Sequence, residues 1–268
     1  METFLSRIET WDSIAVDYDR INRPMMVEFV KAGLKSISID PTWRVLDVAS
    51  GPGTASLYIS EFVDQVDAVD FSGRMIAQLK QNIKTEQIDN IFPVVADGQN
   101  LPFDDDSFDL CLSMFGLIFF PDRGRGLAEA FRVLKPGGQV MVSSWAPMER
   151  SNLMQTISAA LHAKNPNGMA NEGPLPLGDE GEFAKELKDA GFSNLKIESV
   201  YTEVEVGKID QFWSNLTRSS AHIRQMKEAC SEMEWSEIEN GAIDYLKTHL
   251  DETSRLGSEA FIATATKL

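Results

Sequence analysis

Two short stretches carry residues that could do chemistry together. Asp47-Val-Ala-Ser-Gly51-Pro-Gly53 follows a β-branched run, and its glycines let the backbone turn sharply and approach a ligand at a helix N-terminus. Asp70 lies nineteen residues beyond Gly51, at the end of the next such run, where a carboxylate can accept both hydroxyls of a ribose. A glycine turn alone is weak evidence; paired with Asp70 it points to an adenosine-type cofactor at the carboxyl edge of a sheet. Nicotinamide and flavin dinucleotides use the same geometry and are the first rival. Their G-x-G-x-x-G fingerprint asks for a third glycine, so that the helix packs against the strand, and here that place is Ser56. Further signals are Asp97, followed by Leu101-Pro-Phe-Asp-Asp-Asp-Ser-Phe-Asp109, and Val133-Leu-Lys-Pro-Gly-Gly138. Asp70 and Asp97 also have a bland reading, as helix caps or solvated loop acids.

The elements that must position these residues alternate along the chain. Residues 44–49, 65–70, 91–96, 108–113 and 139–145 read as strands, each followed by helical periodicity or a turn. Ser72 and Asp122 are N-cap candidates for helices over 73–84 and from about 122 to 134, and Lys135-Pro-Gly-Gly138 stops the second. Strands and helices at this spacing imply parallel βαβ units with right-handed crossovers. The expected fold is therefore α/β, a Rossmann-like doubly wound sheet. Residues 1–40 read as two amphipathic helices forming a lid, the second from about Pro24. After Trp145 the rhythm breaks into a helix plus an irregular loop over 147–180, a helix at 182–190 and a strand at 195–206. A mostly helical insert over 208–252 precedes a final strand at 259–266.

At this point the sequence resembles a family. Val45-Leu-Asp-Val-Ala-Ser-Gly-Pro-Gly-Thr54, Val69-Asp-Phe-Ser-Gly-Arg-Met75, Ala96-Asp-Gly-Gln-Asn-Leu-Pro-Phe103, Ser107-Phe-Asp109 and Arg132-Val-Leu-Lys-Pro-Gly-Gly138 are similar to the successive motifs of class I methyltransferases. The nearest branch is the small-molecule one that includes ubiquinone/menaquinone C-methyltransferases. The resemblance covers roughly residues 10–145; beyond 146 only two closing strands are expected. It implies S-adenosyl-L-methionine as cofactor and a seven-stranded sheet with an antiparallel last strand. It also implies one domain over 1–268, with a lid at 1–40, a cofactor-binding core at 41–146 and a substrate-side half at 147–268. In that frame Asp70 holds the ribose, with Phe71 and Met75 beside it. Asp97 accepts the adenine amino hydrogen, with the Gly98 amide near the ring. The turn Ala49–Gly53, including Gly51, and the carbonyl around Ser113 surround the methionine moiety, and Asp47 helps bind its ammonium. Ala49 departs from the family's D/E-x-G-x-G-x-G by replacing the first glycine, which is tolerable where its φ is negative.

The acceptor pocket is expected where the fourth and fifth strands open, along Ser113-Met-Phe-Gly-Leu-Ile-Phe-Phe120 and Ser144-Trp145, with Phe115 and Trp145 on its wall. Its roof would be Trp11 and Tyr18 from the lid and Phe212, Trp213 and Met226 from the insert. Such a lining suits an apolar or planar small molecule. The bland alternative is that these residues only pack the lid on the sheet. His162, His222 and His249 are the only histidines; each reads as a surface or helix residue, and no catalytic base is assigned. Asp104-Asp-Asp106 reads as a solvated turn, and no metal is expected. The expected activity is methyl transfer to a small, apolar or aromatic molecule. An NAD(P)-type oxidoreductase and a non-catalytic cofactor-binding module stand as alternatives.

Composition narrows the partners. The formal net charge of −16 disfavours nucleic acid and anionic membrane, since both ask for a basic face. The greasiest stretch, 110–120, is too short to cross a bilayer, and no secretion signal is read at the N-terminus. Cys111 and Cys230 are isolated, which fits a reducing, cytoplasmic setting. Nothing in the sequence speaks to oligomeric state.

Overall fold

Runs rich in Val, Ile and Leu, punctuated by Gly, Pro and Ser/Asp caps, become the strands and helices of a twisted sheet with helices on both faces. The computed structural model describes residues 4–164 and 177–268. Seven strands form one sheet: β1 (Arg44–Val48), β2 (Gln65–Asp70), β3 (Ile91–Val95), β4 (Phe108–Ser113), β5 (Leu134–Trp145), β6 (Ser193–Glu205) and β7 (Arg255–Thr266), in the order β3-β2-β1-β4-β5-β7-β6. β1 to β5 run parallel to one another, whereas β7 is antiparallel to both β5 and β6. The seven-stranded sheet with an antiparallel last strand is thus as expected.

Ten α-helices surround it: α1 (Ile8–Asp12), α2 (Ala15–Leu34), α3 (Thr54–Ile59), α4 (Gly73–Glu86), α5 (Arg123–Val133), α6 (Asn152–His162), α7 (Glu180–Asp189), α8 (Ile209–Ser219), α9 (Ala221–Ala229) and α10 (Glu232–His249), counted among the described residues. Ser72 and Asp122 cap α4 and α5 through their side chains, as read. Alternation along each strand sorts the core. Leu46, Val69, Cys111, Val140, Val142 and Ala263 point to the face covered by α5 and α7. Val45, Ala68, Leu110, Leu112, Met141 and Ile262 point to the face covered by α2, α3 and α4. The central strands β1, β2 and β4 bury both faces, the pattern of a sheet sandwiched between helices, while the edge strands β3 and β6 stay partly exposed. Gly33 lets α2 lie close on the sheet: a Cβ there would come within 2.6 Å of Met141 Sδ and 2.9 Å of Ile262.

Three expectations are corrected. The second lid helix begins at Ala15, and Pro24 lies inside it. Its polar first half is held by tertiary bonds that outweigh the local break: buried Asp19 accepts Gln78 Nε2 and Asn82 Nδ2 of α4, each at 3.0 Å. The final strand starts at Arg255 rather than 259, because β6 pairs with it over its whole length. The helical insert, α8 to α10, packs on α6, with Phe212 and Trp213 buried inside that cluster. Trp213 donates Nε1–H to Glu239 and stacks near Trp235 at 6.3 Å, so it closes a core of its own. The irregular loop read within 147–180 lies partly, at 165–176, outside the described residues.

Candidate active site

A cavity of about 500 Å³ opens at the carboxyl ends of β1, β2 and β4. This edge is where crossovers in a parallel sheet leave a crevice. Its floor is the turn after β1 (Ala49, Gly51), the tip of β2 (Asp70, Phe71, and Met75 at the start of α4) and the segment after β3 (Ala96–Gln99). The loop after β4 supplies Met114, Phe115 and Gly116, then Phe119 and Phe120. The lid closes it with Leu5 to Glu9, Trp11 and Tyr18.

Asp70 is buried, and both its oxygens are bound by backbone donors: Oδ2 accepts Gly51 N–H and Oδ1 accepts Ser72 N–H, each at 2.8 Å. The sequence folds so because Ser72 must leave β2 and cap α4, where its Oγ accepts Met75 N–H at 3.0 Å. Burial pushes the Asp70 carboxyl up to about 6, against the pull of those two amides. The same Ser72 hydroxyl donates to Asp12 of the lid at 2.5 Å, and Asp12 also accepts Arg74 N–H at 3.2 Å. The lid is therefore latched to the loop that carries Asp70. Trp11 ties its own turn by donating Nε1–H to the Leu5 carbonyl at 2.8 Å.

The turn after β1 has two left-handed residues besides Gly53: Ala49 at φ +56° and Gly51 at +54°. Ala49 is thus not at the negative φ that would suit it. The chain accommodates its methyl group by a glycine opposite: a Cβ on Gly116 would overlap the Ala49 Cβ. Asn82 of α4 donates to the Pro52 carbonyl at 3.1 Å, tying the turn to the Asp19 network. Gly98 leaves no room for a side chain, since a Cβ would sit 2.6 Å from the Phe120 ring and 2.7 Å from Val48. Exposed Asp97 beside it accepts the Gln99 amide at 2.8 Å, which holds the β3 exit loop in a turn.

The structure brings Ala49, Gly51, Asp70, Phe71, Met75, Asp97, Gly98, Tyr18 and Phe115 to the cavity wall. Asp47, Gly53, Ser113 and Trp145 stand behind it. Asp47 accepts Ser56 N–H at 3.0 Å and Ser56 Oγ–H at 2.5 Å, so it caps the first turn of α3. Burial raises its carboxyl to about 7. Gly53 is the N-cap of α3 at φ +93°, packed under Leu79. Trp145 lies under Phe115, their rings stacked at 4.2 Å. Ser113 Oγ and Ser50 Oγ are buried beside the turn without a protein partner. The Tyr18 hydroxyl is raised to about 12 by burial and by the charge of Asp70. None of the three histidines is on the wall; the rings of His162 and His249 bond the carbonyls of Ser158 and Tyr245 in their own helices.

Sequence reasoning missed Leu5 to Glu9 and Ser143. The first carry no motif. Gly116 lies in the stretch expected to line the acceptor pocket, but its need to be a glycine arises only from contact with Ala49. Ser143 Oγ accepts the Phe115 amide across two strands at 2.9 Å, and no local pattern announces it.

The profile of the ubiE/COQ5 methyltransferase family matches residues 6–164. The chain belongs to this family. The matched segment holds the glycine turn, Asp70, Asp97, the loop after β4 and the lid from Ser6 on, that is, every residue of the cavity wall except Leu5. The chain is 37% identical over 142 residues to the ubiquinone/menaquinone biosynthesis C-methyltransferase UbiE of Geotalea daltonii, an overlap of 50% of this chain and 60% of that one. Against the demethylmenaquinone methyltransferase of Clavibacter sepedonicus it is 30% identical, covering 69% and 82% of the two chains. The YcgJ protein of Bacillus subtilis shares the fold, with a TM-score of 0.61 at 16% identity over 90% of this chain and 98% of that one. The resemblance to class I methyltransferases read from the motifs is therefore a family membership. No helix among the described residues is long and apolar enough to cross a membrane.

Proposed function

We propose that this chain transfers a methyl group from S-adenosyl-L-methionine to a small, flat, largely apolar acceptor such as a hydroxylated aromatic ring. The observation that carries the proposal is Asp70: a buried carboxylate at the tip of β2, facing the cavity between the glycine turn and Asp97. Its oxygens keep lone pairs for two neighbouring hydroxyls after accepting one amide each. Asp97 and the Gly98 amide suit an adenine edge. The Ala49–Gly51 turn, with two buried hydroxyls lacking protein partners beside it, suits a polar amino-acid tail. When bound, the cofactor supplies a methyl group on a positively charged sulfur. The chain's task is to orient the acceptor in line at roughly 3 Å and to exclude water, and orientation alone can lower such a barrier by several kcal/mol. The latched lid and the Trp11, Phe115 and Phe119 rings do the excluding. No histidine lines the wall, and an acceptor that is already an electron-rich carbon or an oxyanion needs no base to react. The names of the relatives, which act in quinone biosynthesis, support a ring of that kind.

S-adenosylhomocysteine is expected to raise the melting temperature by several degrees at saturating concentration, while NADH leaves it unmoved. Stabilisation by NADH alone would hand the cavity to a dehydrogenase. Radiolabelled methyl transfer from the donor to a panel of hydroxylated aromatics then tests the reaction; binding with no turnover on any acceptor would leave a non-catalytic module.

The raised carboxyl of Asp70 adds a pH dependence. The ionised form is the stronger acceptor for two hydroxyls, so affinity for S-adenosylhomocysteine rises as pH passes through about 6. In the unliganded fold the sign is opposite. Between the ordinary value of 3.8 and about 6 the folded chain holds a proton that the unfolded chain has lost. This group's contribution to stability is thus fullest below 3.8 and is lost as pH rises through 6. Calorimetric titrations across that range check it, and a flat affinity profile would mean the sugar is held elsewhere.

A further inference from the structure

Phe115 occupies a conformation that L side chains rarely adopt, φ +59°. Such strain persists only where the surroundings impose it, and it clusters at functional sites. Here three contacts impose it. The Phe115 amide donates to Ser143 Oγ of β5 at 2.9 Å. Its ring is stacked on Trp145 at 4.2 Å and 25°, with Phe29 edge-on at 5.2 Å. The next residue, Gly116, is pressed against the Ala49 methyl group, so the loop cannot slide toward the glycine turn. Ala49 is itself left-handed, and the two strained residues meet at the cavity wall. Trp145 and Phe29 pack on the ring of buried Phe115, and Phe115 lines the cavity.

We infer that Ser143 is a positioning residue that locks Phe115 as a rigid aromatic wall, and that this wall selects acceptors with a flat ring over saturated ones. The inference rests on the methyl-transfer reading, because it takes the space beside Ala49 as the place where the acceptor meets the methyl group. Aromatic rings prefer offset or edge-to-face contacts of defined geometry, and a ring held from three sides offers one such geometry. Losing the Ser143 hydroxyl leaves the Phe115 amide buried and unpaired. Residue 115 then relaxes toward ordinary backbone angles and carries the ring away from its place.

The test compares binding of 1-naphthol and its saturated counterpart, decahydro-1-naphthol, to protein saturated with S-adenosylhomocysteine. The wild-type chain is expected to prefer the flat probe by about tenfold, on the scale of one good aromatic contact. Ser143→Ala and Phe115→Leu should bring that ratio near one, each variant being measured at an S-adenosylhomocysteine concentration that saturates it. Ser143→Thr, which keeps the hydroxyl, should restore the preference. A wild-type chain that does not distinguish the probes, or a Ser143→Ala variant that keeps the full ratio, overturns the inference while leaving cofactor binding intact. Absence of S-adenosylhomocysteine binding to the wild-type chain instead overturns the methyl-transfer reading, and the inference with it.

Discussion

Asp70→Asn is expected to weaken S-adenosylhomocysteine binding by about 100-fold while moving the melting temperature of the unliganded protein only slightly. Both carboxylate oxygens of Asp70 face backbone donors, Gly51 N–H and Ser72 N–H. An amide must turn its own N–H₂ toward one of them, which removes one internal bond. It also removes the charge that makes the ribose contacts strong. Hydrogen bonds to a charged group contribute about 1.5–3 kcal/mol each, and a factor of 100 in affinity corresponds to about 2.7 kcal/mol. Neutralising two such bonds therefore suffices. The fold loses little, because burial already opposes the charge: the carboxyl sits at about 6 rather than 3.8. The pH dependence of affinity should vanish in the same variant. Calorimetry and thermal melts on the two proteins decide the matter. Affinity within about threefold of wild type would show that Asp70 serves the loop and not the ligand.

Gly53→Ala should cost about 2–5 kcal/mol of stability, whereas Gly51→Ala should cost about 1–2 kcal/mol. Both glycines are left-handed, at +93° and +54°, so both pay the steric penalty of an L residue there. They differ in what a methyl group would meet. At Gly51 the nearest atom is Met75 Sδ, 4.0 Å away, which is ordinary contact. At Gly53 the methyl group would overlap Leu79, itself fully buried between α4 and the sheet. Overpacking of that kind adds about 1–3 kcal/mol, and a domain's total stability is only about 5–15 kcal/mol. Urea unfolding at fixed pH gives both values. Equal midpoints would mean that Leu79 yields freely and that Gly53 is needed for its backbone angle alone.

The contrast between these glycines shows where residue patterns stop. Local chemistry is enough for the βαβ alternation, the caps at Ser72 and Asp122 and the pairing of a glycine turn with Asp70 at neighbouring strand tips. Each depends on contacts within a few residues or on the two-residue period of a strand. The pattern reads less well where a segment is held by distant partners. The polar half of α2 is helical because Asp19 is anchored on α4. The aromatic residues of the insert, which look like a roof, turn inward because α6, α8 and α10 need a core of their own.

The motif after β1 is where local reading goes furthest astray. Its residues are legible as a ligand turn, yet three-dimensional packing divides them: Ala49 and Gly51 reach the cavity, while Asp47 and Gly53 support α3 behind it. Nor does the sequence reveal that the alanine is left-handed and that a glycine sixty-seven residues later makes room for its methyl group. Order along the chain sets which backbone shapes are cheap. Which side chains share a wall is settled only when strands far apart in sequence come to lie side by side, because hard-core contact and hydrogen bonding act over a few ångströms of space, whatever the separation along the chain.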